Sequence, residues 1–260
     1  MRIDLKNYLE ELYHTYNRRS FVHPDPLEFL YRYTDPLDRE IVGLIASSLA
    51  YGRVNQILKS VKLVLSHLPS PRNDLLQMSR LDLMAIFRGF KHRFTTGEDM
   101  TALLFGIKRV IQEYGSLEEA FRYFHIARSP TIVPVLSKFV QIMREKGEGT
   151  SNFLLPSPEN GSACKRAFLF LRWMVRCDEV DPGGWRLSAS TLVIPLDTHM
   201  FQIARRLGLT DRKQADLKTA LDVTEAFRCI SPDDPVRYDF CLTRFGIHPD
   251  MDYSMLNCPT

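Results

Sequence analysis

The sequence predicts an all-α protein, on three observations. Apolar residues recur at three- and four-residue steps through most of the chain, the spacing that lines one face of a helix. Helix punctuation stands beside those runs: Asp35-Pro36 opens one that Pro69-Ser70-Pro71 closes, and Ser116 with Glu119 three residues on opens another. No alternating run is long enough for a sheet strand, and residues 191–195 are the one extended apolar piece.

Taken in order, the first helix is expected over residues 7–16. Residues 38–67 carry Ile41, Leu44, Ile45, Leu49, Ile57, Val61, Val64 and Leu65 at helical steps, and Gly52 divides them into two helices. Further helices are expected over 82–87, 100–114, 117–124, 132–146, 163–175, 198–207, 213–227 and 236–245. Residues 147–161, rich in Gly, Ser, Pro and Asn, read as a loop feeding a helix, and Asp181-Pro182-Gly183-Gly184 as a sharp turn. With 260 residues, 45% of them hydrophobic, the chain can bury a real core as one large domain or two small ones sharing a cleft. Residues 1–35 with 191–260 read as a terminal helical lobe, and residues 36–190 as a central bundle.

Composition narrows the function classes. A net charge of +3 permits a phosphate-bearing partner without demanding one. The first twenty residues hold no apolar block and no stretch reaches the roughly 20 apolar residues of a membrane span, so a cytoplasmic protein without membrane contact is expected. The five cysteines (Cys164, Cys177, Cys229, Cys241, Cys258) form no CxxC pair, which argues against a zinc knuckle or an iron–sulfur loop and for reduced thiols. No His-Asp dipeptide occurs, which sets aside metal phosphohydrolases of that type.

Chemistry concentrates after Gly161. Ser162 reads as an N-cap, placing Lys165 in the first helical turn, where the dipole and neighbouring Arg166 disfavour a protonated amine. A lysine so placed is able to act as an amine nucleophile on a sugar carbon; a solvated charge on an amphipathic helix is the plainer alternative. Asp197, ahead of a helix starting at Thr198, reads as an N-cap that accepts backbone N–H groups and stays ionised. Such a carboxylate is suited to stabilise positive charge or take a proton, or it is a cap alone. His199 reads first as a polar residue of a helix first turn.

Together these residues resemble the helix-hairpin-helix DNA glycosylase superfamily, which includes endonuclease III and the archaeal 8-oxoguanine glycosylases. The resemblance rests on Lys165 after Gly161-Ser162, and on Leu196-Asp197-Thr198-His199 followed by Arg205-Arg206-Leu207-Gly208-Leu209. The chain looks most like an uncharacterised bacterial branch marked by AYGR (50–53), KRAFLFLRWMVR (165–176), PLDTH (195–199) and DPVRYDF (234–240). It departs from endonuclease III in the hairpin, where Leu155-Pro156-Ser157-Pro158-Glu159-Asn160-Gly161 has one glycine in place of two. A longer separation of Lys165 from Asp197 is similar to the archaeal enzymes.

The resemblance implies two helical lobes around a cleft, no iron–sulfur cluster, and a monomer acting without metal or organic cofactor on duplex DNA with a damaged base. Lys165 would be the nucleophile and Asp197 the acid/base and charge stabiliser, with an oxidised purine such as 8-oxoguanine as target and nucleoid association in the cytoplasm. Tyr51 and Arg53 would fill the gap left by an extruded base, or be half-buried packing and a solvated charge. Trp173, Arg166 and His199 stand as further DNA or base contacts, although Trp173 lies on an apolar helix face that favours a core role. Trp185 is a stacking candidate, and Arg172, Arg176, Arg205, Arg206, Arg212 and Lys213 are candidates for a phosphate-facing patch. Asp234 to Asp239 reads as a capped helix start. Two rival functions stay open: a non-catalytic DNA- or RNA-binding protein of the same fold, and an enzyme using the same pair on a free nucleoside or RNA.

Overall fold

Side-chain caps set where the helices begin. Asp35 Oδ1 accepts from Leu37 N, and Pro36 takes the first helical position of α2 (Pro36–Ser48), after α1 (Arg2–Tyr16) and a 3-10 turn at Pro26–Arg32. The chain then turns through Tyr51-Gly52 into α3 (Val54–Ser66). Two short helices follow, α4 (Pro71–Gln77) and α5 (Arg80–Ile86), the latter started by a reciprocal Ser79–Asp82 capping box. The α4 helix is absent from the sequence expectation because Pro71 reads as a stop, whereas proline at the first helical position also starts a helix.

An antiparallel ribbon of two-residue strands, β1 (Lys91–His92) and β2 (Thr95–Thr96), pairs Lys91 with Thr96 and His92 with Thr95. It runs straight into α6 (Gly97–Tyr114), where Thr96 and Asp99 form a second capping box. After it come α7 (Leu117–Tyr123), α8 (Val133–Gly147), α9 (Lys165–Val175), α10 (Thr198–Arg206), α11 (Leu217–Arg228) and α12 (Asp239–Ile247). The computed structural model describes residues 2–124, 129–148, 153–248 and 250–256, and its class is all-α. Among them no helix is long and apolar enough to cross a membrane. Cys164 and Cys241 are buried free thiols, Cys177 and Cys229 exposed ones, and Cys258 lies outside the described residues.

Helix α9 is the pillar of the core. Phe168, Phe170, Leu171, Trp173 and Met174 are all buried, and α9 packs against α2 with Phe170 and Met174 lying over Gly43. Residue 191 closes a 3-10 turn (Ala189–Thr191), and residues 192–195 beyond it belong to no helix or strand, so the expected extended piece starts one residue later. Leu192, Val193 and Ile194 are buried, with Ile194 N donating to Thr224 Oγ1 of α11. This buried tether delivers Asp197 to the start of α10.

Two expectations about arginines are corrected. Arg172 and Arg176 do not face solvent or a phosphate; both are buried. Arg172 pairs with Asp181 and Asp239, and Arg176 with Asp178, Asp181 and Asp234. Arg172 is on α9 and Arg176 is its C-cap four residues on, so both cations turn inward at the end of the helix. The turn at 181–184 meets them there, with Gly183 N and Trp185 N donating to Trp173 O and Met174 O at the end of α9. Tyr13 Oη and Asn17 Nδ2 donate to Asp178, tying α1 to the same cluster.

Trp185, a stacking candidate on sequence, is also buried, and its Nε1 donates to Glu40 Oε2 at 3.0 Å. Glu40 sits at the N-terminus of α7 and accepts from Leu117 N at 2.7 Å and Glu118 N at 3.1 Å. Burial pushes its carboxyl up to about 7 against these donors. Replacing Glu40 by alanine strands three donors, so unfolding free energy is expected to fall by about 3 kcal/mol or more. A urea titration with unchanged slope checks this, and a loss under about 1 kcal/mol would show that water reaches the donors.

Candidate active site

Lys165 is the first residue of α9, as expected, but its cap differs from the expectation. Ser162 is not the N-cap; Cys164 is, in a left-handed conformation (φ 46°) and with no side-chain cap bond. Ser162 Oγ instead accepts from Cys164 N at 3.3 Å, and Cys164 Sγ donates to Pro156 O at 3.3 Å. The loop ahead of α9 is thus closed on itself through a 3-10 turn at Pro158–Asn160. Its Asn160 N and Gly161 N donate to Ser157 O and Pro158 O, so neither amide is free for a phosphate. Gly161 O accepts from Leu217 N, pinning the loop to α11.

Asp197 is the N-cap of α10. Its Oδ1 accepts from His199 N and Met200 N, both at 2.9 Å. The other oxygen, Oδ2, lies 3.2 Å from Lys165 Nζ. One carboxylate oxygen is therefore fixed by backbone and the other is given to the lysine. Burial works to raise the Asp197 pKa, but Lys165 and the Met200 N–H outweigh it and hold the carboxyl below the usual carboxylate range. The two side chains are partly accessible, at 31% for Lys165 and 15% for Asp197, so a ligand can reach the amine while the carboxylate is sheltered.

Lys165 opens onto a concave pocket of about 520 Å³, whose wall includes Tyr51, Phe153, Cys164, Arg166 and Asp216. Asp197 joins this pocket through Lys165 rather than lining it. The acidic rim residue Asp216 is paired with Arg212 at 3.0 Å. Arg166 builds the wall: its guanidinium stands 5.0 Å from the Tyr51 ring and 4.7 Å from the Phe153 ring, and donates to Ser48 O and Phe153 O. Burial pulls its pKa down to about 10, which leaves it charged at neutral pH. Tyr51 also lines the pocket, but its hydroxyl is engaged by His92 O and Thr95 Oγ1, both at 2.7 Å. Gly52, at φ +92°, turns the chain away beside it, and a Cβ there would meet the Arg93 side chain at 2.6 Å.

The remaining sequence candidates fall elsewhere. Trp173 is 1% exposed and is corrected from base contact to core, since the inward face of α9 carries it away from any surface. His199 does not line the pocket. Its Nδ1 meets Tyr253 Oη at 2.6 Å, in a niche that Gly246 keeps open, where a Cβ would stand 2.3 Å from the ring. Arg53 is exposed at the start of α3, close in sequence to the pocket wall. Phe153, Phe94 and Arg93 went unremarked in the sequence. The one signal they gave was an isolated aromatic between polar residues in His92-Arg93-Phe94-Thr95.

No curated protein and no solved structure matches the chain. A family model described as "Protein of unknown function (DUF2400)" matches residues 25–248, a span that takes in α2 to α12 and with them Tyr51, Arg166, Lys165 and Asp197. The chain belongs to the DUF2400 family.

Proposed function

We propose that the protein is a DNA base-excision glycosylase with lyase activity, of the helix-hairpin-helix type with two lobes flanking a cleft, acting on an oxidised purine such as 8-oxoguanine. The observation that carries this reading is the 3.2 Å approach of Lys165 Nζ to Asp197 Oδ2 at an open pocket walled by rings and a guanidinium. An amine beside a fixed carboxylate suits attack on a sugar carbon, where positive charge develops and a base must leave. The pocket is of a size for one extruded nucleotide.

In the proposed reaction the target nucleotide turns out of the duplex and its C1′ comes to Lys165. Lys165 attacks as the neutral amine, its proton passing by way of Asp197 towards the departing base. The C1′–nitrogen bond to the base breaks with its electron pair, and the Nζ–C1′ bond forms. Asp197, once it has handed that proton on, is again a carboxylate facing the cationic sugar. The Nζ lone pair then opens the sugar ring, the C1′–O4′ bond breaking with its electron pair and O4′ taking a proton from water, which leaves a protonated Schiff base; loss of the C2′ proton expels the 3′ phosphate and nicks the strand.

The occupied amides of the loop at 158–161 favour a second reading, a non-catalytic nucleic-acid-binding protein of the same fold. Release of 8-oxoguanine from a duplex separates the two. The wild type is expected to release the base and nick the strand, and Lys165→Gln to lose at least about 10³-fold of that rate. Binding of the duplex without base release by either protein would favour the second reading.

A further inference from the structure

The ribbon of β1 and β2 turns at Arg93-Phe94, with Arg93 in a left-handed conformation (φ 52°). Phe94 stands 70% exposed at the tip, beside Phe153 at 40%. Their ring centroids are 5.8 Å apart, and the Phe153 ring is 4.9 Å from Tyr51, so three rings meet edge to face from the open tip to the pocket wall. Cations interleave with them: Arg93 stands 5.5 Å from the Phe94 ring, and Arg166 spans Phe153 and Tyr51. Lys91 and Arg53 are exposed on the same two turns. The acids next in sequence begin α6, and one of them, Asp99, is taken up by Thr96.

The tip is held in place before any partner arrives. Tyr51 Oη bonds His92 O and Thr95 Oγ1, His92 Nε2 donates to Tyr51 O at 3.1 Å, and Ser60 Oγ meets His92 Nδ1 at 2.9 Å. His92 is buried, and burial lowers its pKa, which favours the neutral ring with Ser60 Oγ donating to Nδ1. Phe94 packs only edge to face on Phe153 and under Arg93, which leaves most of the ring open, and a rigid ring offers contact area with little ordering cost.

We propose that Phe94 and Phe153 form a stacking platform for an unpaired base of a DNA strand, with Arg93 and Arg53 on the flanking phosphates. Flat ring faces alternating with guanidinium groups match bases alternating with phosphates; a second copy of the chain would find cations where it needs apolar contact. The inference rests on the glycosylase reading and places the strand around the Lys165 pocket.

The test is fluorescence anisotropy of full-length protein on two labelled duplexes, one with a single unpaired base and one fully paired, alongside borohydride trapping. Phe94→Ala is expected to weaken binding of the unpaired-base duplex about tenfold or more and the paired duplex far less. Phe94→Trp should restore it, and Arg93→Ala should lower the salt slope by about one. Equal weakening on both duplexes, or unchanged binding in a protein still trapped by borohydride, overturns the platform and leaves the glycosylase reading standing. Wild type that neither binds nor is trapped overturns both. A change in sedimentation without a change in DNA affinity assigns the tip to a second copy and overturns the platform.

Discussion

Arg176→Ala is expected to cost on the order of 3–5 kcal/mol of folding stability, a large share of the roughly 5–15 kcal/mol that a folded domain typically has. The side chain is only 3% exposed and carries hydrogen-bonded pairs to Asp178, Asp181 and Asp234. Without it, the fully buried Asp181 is left to Arg172, which already serves Asp239, and the part-exposed Asp178 and Asp234 lose their cation. The damage spreads because Asp178 also receives Tyr13 of α1 and Asn17 just after it, and Asp181 anchors the turn that closes the end of α9. Arg176→Lys keeps the charge but cannot reproduce the planar fork, so an intermediate loss is expected. Urea unfolding followed by far-UV circular dichroism measures both. A loss below about 1 kcal/mol for the alanine variant would mean that the cluster is solvated in solution and contributes as a surface pair does.

Asp197→Asn separates chemistry from folding at the site. Asparagine caps a helix about as well as aspartate, so α10 should keep its first turn and stability should change by less than about 1 kcal/mol. What disappears is the negative charge beside Lys165. On the proposed reaction, base release should fall by about 10²–10⁴-fold. The acid side of the argument has a definite sign. The folded carboxyl is held below its ordinary value of 3.8, so its contribution to stability is complete above that value and is lost as the pH falls through the folded pKa. Activity should therefore show no acid limb from Asp197 between pH 5 and 8. A variant with wild-type rates would reduce Asp197 to a cap, and one that melts far below the wild type would show the ion pair to be mainly structural.

The long helices were legible in the sequence because their apolar spacing and their caps agree: Asp35-Pro36 and Ser116 set starts that the structure reproduces. Errors arose where one residue type serves two ends of an element. Pro71 starts a helix as readily as it stops one, and Ser162 is less a cap than a prop for Cys164. Strands of two residues carry no alternation, so the ribbon at 91–96 left only its exposed Phe94 as a trace. Arg172 and Arg176 were misread because arginine on a helix is ordinarily solvated. Their spacing on the apolar face, with Asp178 and Asp181 close behind, was the signal for burial.

At the site, Lys165 and Asp197 were marked by resemblance, and the fold brings them into contact through two elements that the sequence did show: a helix opening at the lysine and an extended buried tether ending at the aspartate. The wall around them was less legible. Tyr51 and Arg166 were named singly, yet their pairing depends on how α2, α9 and the ribbon pack, which periodicity does not encode. Trp173 shows the converse, an aromatic on the same helix as Lys165 that the helical turn sends into the core.

The most direct measurement is borohydride trapping of the wild type and Lys165→Gln on duplexes carrying 8-oxoguanine or an abasic site, with the cross-linked peptide located by mass spectrometry. The expected result is a covalent adduct at Lys165 with the wild type and none with the variant. No adduct with the wild type, or one at another amine that survives in Lys165→Gln, would contradict the assignment of Lys165 as nucleophile.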